Sequence, residues 1–153
     1  MGGKTYIIIH HSLTGDGSTV SWNAIRRYHT EEKGWKEIGY HFGVELIGER
    51  YEILMGRTPD MPGAHTKELN MNSAGIGICL VGNFDATEPP EAQIGEAIRL
   101  AAWLQSVYRI PNNNILGHRE IGLLAGYDWT RGQYKSCPGK FVSMENFRKR
   151  CLS

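Results

Sequence analysis

His10, His118 and Cys137 are the residues of this chain best suited to do chemistry. His10 ends the apolar run Tyr6-Ile7-Ile8-Ile9, His118 follows Asn114-Ile115-Leu116-Gly117, and Cys137 sits in Lys135-Ser136-Cys137-Pro138-Gly139. Two imidazoles and a thiolate make a good ligand set for zinc. Three protein ligands leave a fourth tetrahedral position for water, which distinguishes a hydrolytic ion from a structural one. Each residue also has a plainer reading. A lone strand histidine is as often a core residue as a ligand, and a loop cysteine can be incidental. His10 and His11 are neighbours, and strand neighbours point to opposite faces, so only one can aim at a given site. Cys137 has the strongest local context, a polar loop bounded by Pro and Gly in which Lys135 favours the thiolate. Glu120 is a candidate acceptor for orienting an imidazole, or else a solvated carboxylate. Cys79 lies in an apolar segment and reads as a small buried hydrophobe; Cys151 reads as incidental.

The elements that must position these groups follow from periodicity. Tyr6 to His10 is a short β-branched run suited to a buried strand. Ser12 to Ser21 is polar and glycine-rich, hence a loop. Ser21 is a candidate N-cap for a helix from Trp22 to about Glu32, with Gly34 as its stop. His41 to Leu46 and Tyr51 to Met55 predict a hairpin about Ile47-Gly48-Glu49-Arg50. Arg57 to Ser73 is a long irregular segment, of the kind that carries function in compact domains. In a strand from Ala74 to Val81, Ile76, Ile78 and Leu80 share one face. Gly75, Gly77, Cys79 and Val81 share the other, which implies a closely packed helix there. Pro89-Pro90 opens a long helix ending near Tyr108, before Pro111. Asn114 to His118 predicts a short strand, and Ser143 caps a last helix through Phe147 to about Cys151. The mixed order favours an α/β fold: a mixed, mainly parallel central sheet flanked by helices, in a single domain over residues 1–153.

Bulk properties bound the function classes. The chain has 153 residues, 41% of them apolar and 22% charged, ordinary for a globular domain with a real core. A net charge of +1 argues against nucleic acid as a partner. No stretch is long and apolar enough for membrane insertion, and no secretory signal peptide is expected ahead of the first strand. Three widely spaced cysteines argue against a disulfide framework and for reduced thiols made in the cytoplasm. A monomer is expected.

Six motifs occur in order: Ile7-Ile8-Ile9-His10-His11-Ser12, Gly39-Tyr40-His41-Phe42, Gly63-Ala64-His65, Asn72 through Phe84, Gly117-His118-Arg119-Glu120, and Lys135 through Gly139. Together they resemble the zinc-dependent N-acetylmuramoyl-L-alanine amidases, a family that includes phage-lysozyme type endolysins and animal peptidoglycan recognition proteins. The resemblance runs from Tyr6 to about Phe141. It implies that Zn2+ is held by His10, His118 and Cys137, which settles the choice between His10 and His11. It implies that Tyr40 and Lys135 are catalytic, and that His65 and, more weakly, Asn72 line the substrate cleft. The implied substrate is peptidoglycan, a muramyl peptide, cut between N-acetylmuramic acid and the L-alanine that opens the stem peptide. The implied place of action is the cell wall, reached through a holin or another export route.

The stretch from Arg119 to Ser136 is longer than in the most compact phage members. Trp129 within it stacks on a sugar or, more simply, anchors its own loop. His29 and His41 read as structural. Three rivals remain: a non-catalytic peptidoglycan-binding module, a metal-independent cysteine hydrolase using Cys137 and His118, and a structural zinc protein with a fourth ligand.

Overall fold

The computed structural model describes residues 3–13 and 21–152, so most of the loop expected over 12–21 lies outside the described residues. Five strands form one sheet in the order β3-β2-β4-β1-β5. They are β1 (Tyr6–His11), β2 (Phe42–Ile47), β3 (Arg50–Met55), β4 (Gly75–Leu80) and β5 (Ile115–Gly117). β1 lies parallel between β4 and β5, β2 runs parallel to β4, and only the β2–β3 hairpin is antiparallel. The mixed, mainly parallel sheet is therefore as expected. Gly48, at a positive φ of 63°, makes the tight turn that pairs Ile47 with Arg50.

Helices cover both faces: α1 (Trp22–Arg27), α2 (Met71–Ala74), α3 (Glu91–Tyr108), α4 (His118–Leu124) and α5 (Met144–Cys151). Ser21 caps α1 by accepting the Ala24 amide at 3.1 Å. The helix continues to Glu32, but over Tyr28–Glu32 it widens to a π turn, with the Lys33 amide bonded to the Tyr28 carbonyl. Ser143 caps α5 through the Asn146 amide.

The larger core lies between the sheet and α3 with α5. Ile7, Ile9, Ile76, Ile78 and Leu80 pack there against Ala97, Leu100, Ala101, Leu104 and Phe147. Each isoleucine or leucine side chain among them contributes about 1.5–3 kcal/mol by leaving water. Cys151 belongs to this core and is not incidental. Helices do pack on the glycine face of β4, Met71 of α2 against Gly75 and Trp22 of α1 against Cys79 and Val81, while the long α3 lies on the isoleucine face. The glycine face meets a histidine ring: a Cβ at Gly77 would lie 2.7 Å from His65 Cγ and Cδ2. Glycine at alternate positions reported a close approach but not which element made it.

A second departure concerns His118, which opens helix α4 rather than closing a strand. The Glu120 carboxylate turns back to accept the Gly117 amide at 2.9 Å and pairs with Arg148 at 2.8 Å. Glu120, at the third position of α4, thus accepts the amide of the N-cap residue Gly117 and is not the partner of an imidazole.

Candidate metal centre and active site

The parallel strands end on a cavity of about 690 Å³, bordered by His10, Tyr40, His65, Glu68, His118, Tyr134, Lys135 and Cys137. Crevices at the carboxyl ends of parallel strands are where α/β folds bind ligands. His10 leaves β1 on this side. His11 turns to the opposite face, where its Nδ1 accepts the Phe84 amide at 3.1 Å. His118 comes from the first turn of α4, beside β5. Cys137 comes from a loop wound around Arg119. The buried guanidinium donates to the carbonyls of Ser136, Gly139 and Val142, and the Arg119 amide bonds the Cys137 carbonyl at 2.7 Å.

These three side chains converge. One donor atom from each of His10, His118 and Cys137 lies within 4.8 Å of the others, and all three residues are buried. Hydrogen bonding sets the proton on each ring. His65 Nε2 donates to the Gly75 carbonyl at 3.3 Å, which leaves its Nδ1 to accept from His10 Nε2 at 2.9 Å and from the Thr66 hydroxyl at 3.0 Å. His10 therefore keeps its lone pair on Nδ1, 3.7 Å from Cys137 Sγ. On the other ring, the Tyr134 hydroxyl donates to Glu68 at 2.5 Å and so accepts from His118 Nε2 at 3.0 Å. The lone pair of His118 is thereby on Nδ1.

The electrostatics suit a cation. Burial, with the His118 charge next, holds His10 well below the usual histidine range. Burial, then Lys135, brings His118 down to about 4. Both imidazoles are unprotonated at neutral pH and so have a lone pair to offer a cation. Burial pushes the Cys137 thiol up to about 12, ahead of the His11 amide, Lys135 and Arg119, which pull it down. Lys135 acts in the expected direction but is outweighed. A bound divalent ion would supply the positive charge that deprotonates a ligating thiol. Two neutral imidazoles and one thiol, aimed at one point and short of a countercharge, fit zinc.

Tyr40 stands beside His10, ring centroids 5.2 Å apart. Burial raises its hydroxyl well above the ordinary tyrosine range and its hydrogen bond goes to Cys79, so it is a neutral donor. Cys79 is buried as expected, yet it also touches this catalytic candidate. Lys135 is exposed at the cavity wall. His65 borders the cavity but its ring is committed to His10, Thr66 and Gly75. Asn72 also borders it, while its Oδ1 accepts the His65 and Thr66 amides at 2.6 and 2.7 Å, shaping the loop that carries His65. Trp129 lies over the Arg119 guanidinium, 4.7 Å away, and anchors its own loop. His41 is structural: its Nδ1 accepts the Gly77 amide and its Nε2 donates to the Met61 carbonyl. Sequence reasoning missed Tyr134, Glu68 and Thr66, which come from two irregular segments with no periodic signal.

Residues 2–140 match the family described as N-acetylmuramoyl-L-alanine amidase. The chain belongs to that family. Among curated relatives of this amidase-family chain, peptidoglycan-recognition protein SC2 of Drosophila melanogaster is 36% identical over 77% of this chain and 65% of its own length. An endolysin of Klebsiella phage KP32 is 38% identical over 60% of this chain and 56% of its own. The match thus spans less than two thirds of either relative. Among solved structures, the N-acetylmuramoyl-L-alanine amidase LysC from Clostridium intestinale URNW superimposes with a TM-score of 0.78, over 99% of this chain and 87% of that one. At 23% identity that likeness shows the fold of the family.

Proposed function

We propose that this chain is a zinc-dependent N-acetylmuramoyl-L-alanine amidase, one catalytic domain that cuts peptidoglycan between N-acetylmuramic acid and L-alanine in the manner of an endolysin. The observation that carries this reading is the convergence of His10 Nδ1, His118 and Cys137 Sγ in the cavity at the strand ends. The matched family and the peptidoglycan-directed relatives support it.

In this reading His10, His118 and Cys137 hold zinc, which supplies Lewis acidity toward the scissile carbonyl and makes water acidic enough to attack near neutral pH. The protein's own groups do the rest. Lys135 places an ammonium where negative charge develops on the carbonyl oxygen; losing one such donor costs about a hundredfold in rate. Tyr40 keeps its proton and, on turning its hydroxyl from Cys79 toward the cavity, donates it as a hydrogen bond to the tetrahedral species. His65 and Thr66 hold His10 in register. A metal-independent cysteine hydrolase is disfavoured by Cys137 itself, whose thiol is held at about 12 by burial in the protein alone. A purely structural zinc is disfavoured because, among the described residues, the group contains three ligands and no fourth.

The test combines metal analysis with mass spectrometry of digested peptidoglycan. The expected result is one zinc per chain, absent in Cys137→Ser, with free stem peptides beginning in L-alanine and intact glycan strands. Chelation should abolish release and added zinc restore it. Activity that survives chelation, or fragments cut in the glycan, would overturn the proposal.

A further inference from the structure

The stretch between α4 and Cys137 returns to the site at one point, Tyr134. Its ring lies edge-on to His118, centroids 5.4 Å apart, and stacks on Tyr127 at 6.0 Å. Behind it is Gly122 of α4, where a Cβ would meet the Tyr134 ring at 2.4 Å. The ring is wedged between a helix and a second aromatic, so its hydroxyl has little freedom. That hydroxyl makes two bonds of fixed sense. It donates to Glu68 Oε1, from the 3-10 turn Glu68–Asn70, and having spent its only hydrogen it can only accept from His118 Nε2.

We propose that Tyr134 and Glu68 form a positioning pair for His118, fixing its proton on Nε2 and presenting Nδ1 to the cavity. The inference rests on the metal-site reading above and adds to it two residues from separate segments, 68 and 134. Without the pair, His118 Nε2–H loses its acceptor, the ring can exchange tautomers, and the tautomer protonated on Nδ1 offers an N–H where a lone pair is needed. Partners of this kind around ligating histidines typically change metal affinity by about 10- to 100-fold. The geometry also gives a ranking. Tyr134→Phe removes the acceptor and keeps the wedge. Glu68→Ala leaves the hydroxyl without a fixed acceptor and free to turn its hydrogen toward His118. Glu68→Gln keeps a carbonyl for the hydroxyl and preserves its sense.

The experiment reads two quantities on purified protein. The first is the zinc dissociation constant by competition with a chromophoric chelator. The second is the pair of His118 imidazole 15N shifts in the metal-free protein, which report the tautomer directly. Tyr134→Phe is expected to bind zinc about 10- to 100-fold more weakly and to show averaged nitrogen shifts. Glu68→Ala should follow it, while Glu68→Gln stays near the parent in both. Circular dichroism checks that each variant is folded, and Glu68→Ala carries the test if Tyr134→Phe is not. A Tyr134→Phe protein with parental affinity and a single Nε2–H tautomer would overturn the proposal. If the parent binds no zinc, the metal-site reading fails, and the nitrogen shifts still decide the positioning claim by themselves.

Discussion

Replacing Arg119 by methionine should unfasten the loop that carries Cys137. The guanidinium makes two short bonds, to Gly139 at 2.6 Å and Val142 at 2.5 Å, and a longer one to Ser136 at 3.3 Å. Arg119 is only 8% exposed, so water does not readily replace it. Hydrogen bonds to a charged group contribute about 1.5–3 kcal/mol each, and carbonyls left buried without a partner lose about 1–3 kcal/mol. Against this, burial lowers the pKa of Arg119, the sign of a desolvation penalty that methionine would relieve. The net expectation is a loss of about 3 kcal/mol, a urea midpoint about 1.5 M lower for a domain of this size. A second assay is local. All three cysteines are buried, so a thiol reagent should label the folded metal-free parent slowly. In Arg119→Met one thiol, Cys137, should react fast while Cys79 and Cys151 stay protected. A loss under about 1 kcal/mol, together with parental labelling, would refute the idea that Arg119 is the hub of this loop.

Two further outcomes follow from particular contacts. Gly77→Ala puts a Cβ 2.7 Å from the His65 ring, which must leave His10; a loss of about 1–3 kcal/mol with weaker zinc binding is expected. Gly95→Ala is the control, because nothing lies within 4 Å of its Cβ in α3, and denaturation should show a gain of about 1 kcal/mol. Acid should destabilise the protein through histidines as well as carboxylates. Burial lowers His41 to about 4 and His65 to about 3 from 6.5. Below pH 6.5 the unfolded chain takes up protons that the folded chain refuses. Stability is therefore whole above pH 6.5 and falls as pH drops toward 4, at up to about 1.4 kcal/mol per pH unit for each histidine. Urea titrations across that window should show a shallower slope for His41→Gln; an unchanged slope would refute the assignment.

The strands, the long helix and the hairpin were legible because each carries a period of its own: isoleucines at alternate positions in β4, apolar positions at helical spacing in α3. The candidate ligand set was legible because its three members recur in a recognisable order, and the structure brings their potential donor atoms within 4.8 Å of one another. What stayed hidden was the identity of partners. Nothing near His118 in the sequence points to Tyr134, and nothing near His10 separates a His65 that meets ligand from one that props an imidazole. Glu120 shows the same limit in reverse. Its proximity to His118 suggested service to that ring, whereas its spacing from Gly117 lets it accept that residue's amide. Local spacing encodes local hydrogen bonds well, and long-range ones reach the sequence only as amino-acid type.

Arg119, Trp129, Tyr134 and Cys137 all lie within or border one excursion of the chain. Trp129 roofs the guanidinium that winds the cysteine loop, and Tyr134 wedges against the glycine of the helix that starts with His118. Grafting or trimming therefore has a natural unit here. Residues 117–142 form the natural block to transplant, and a chimera that swaps in a shorter connector before the cysteine loop must also rewrite positions 68 and 122, whose side chain or lack of one has meaning only in the company of Tyr134.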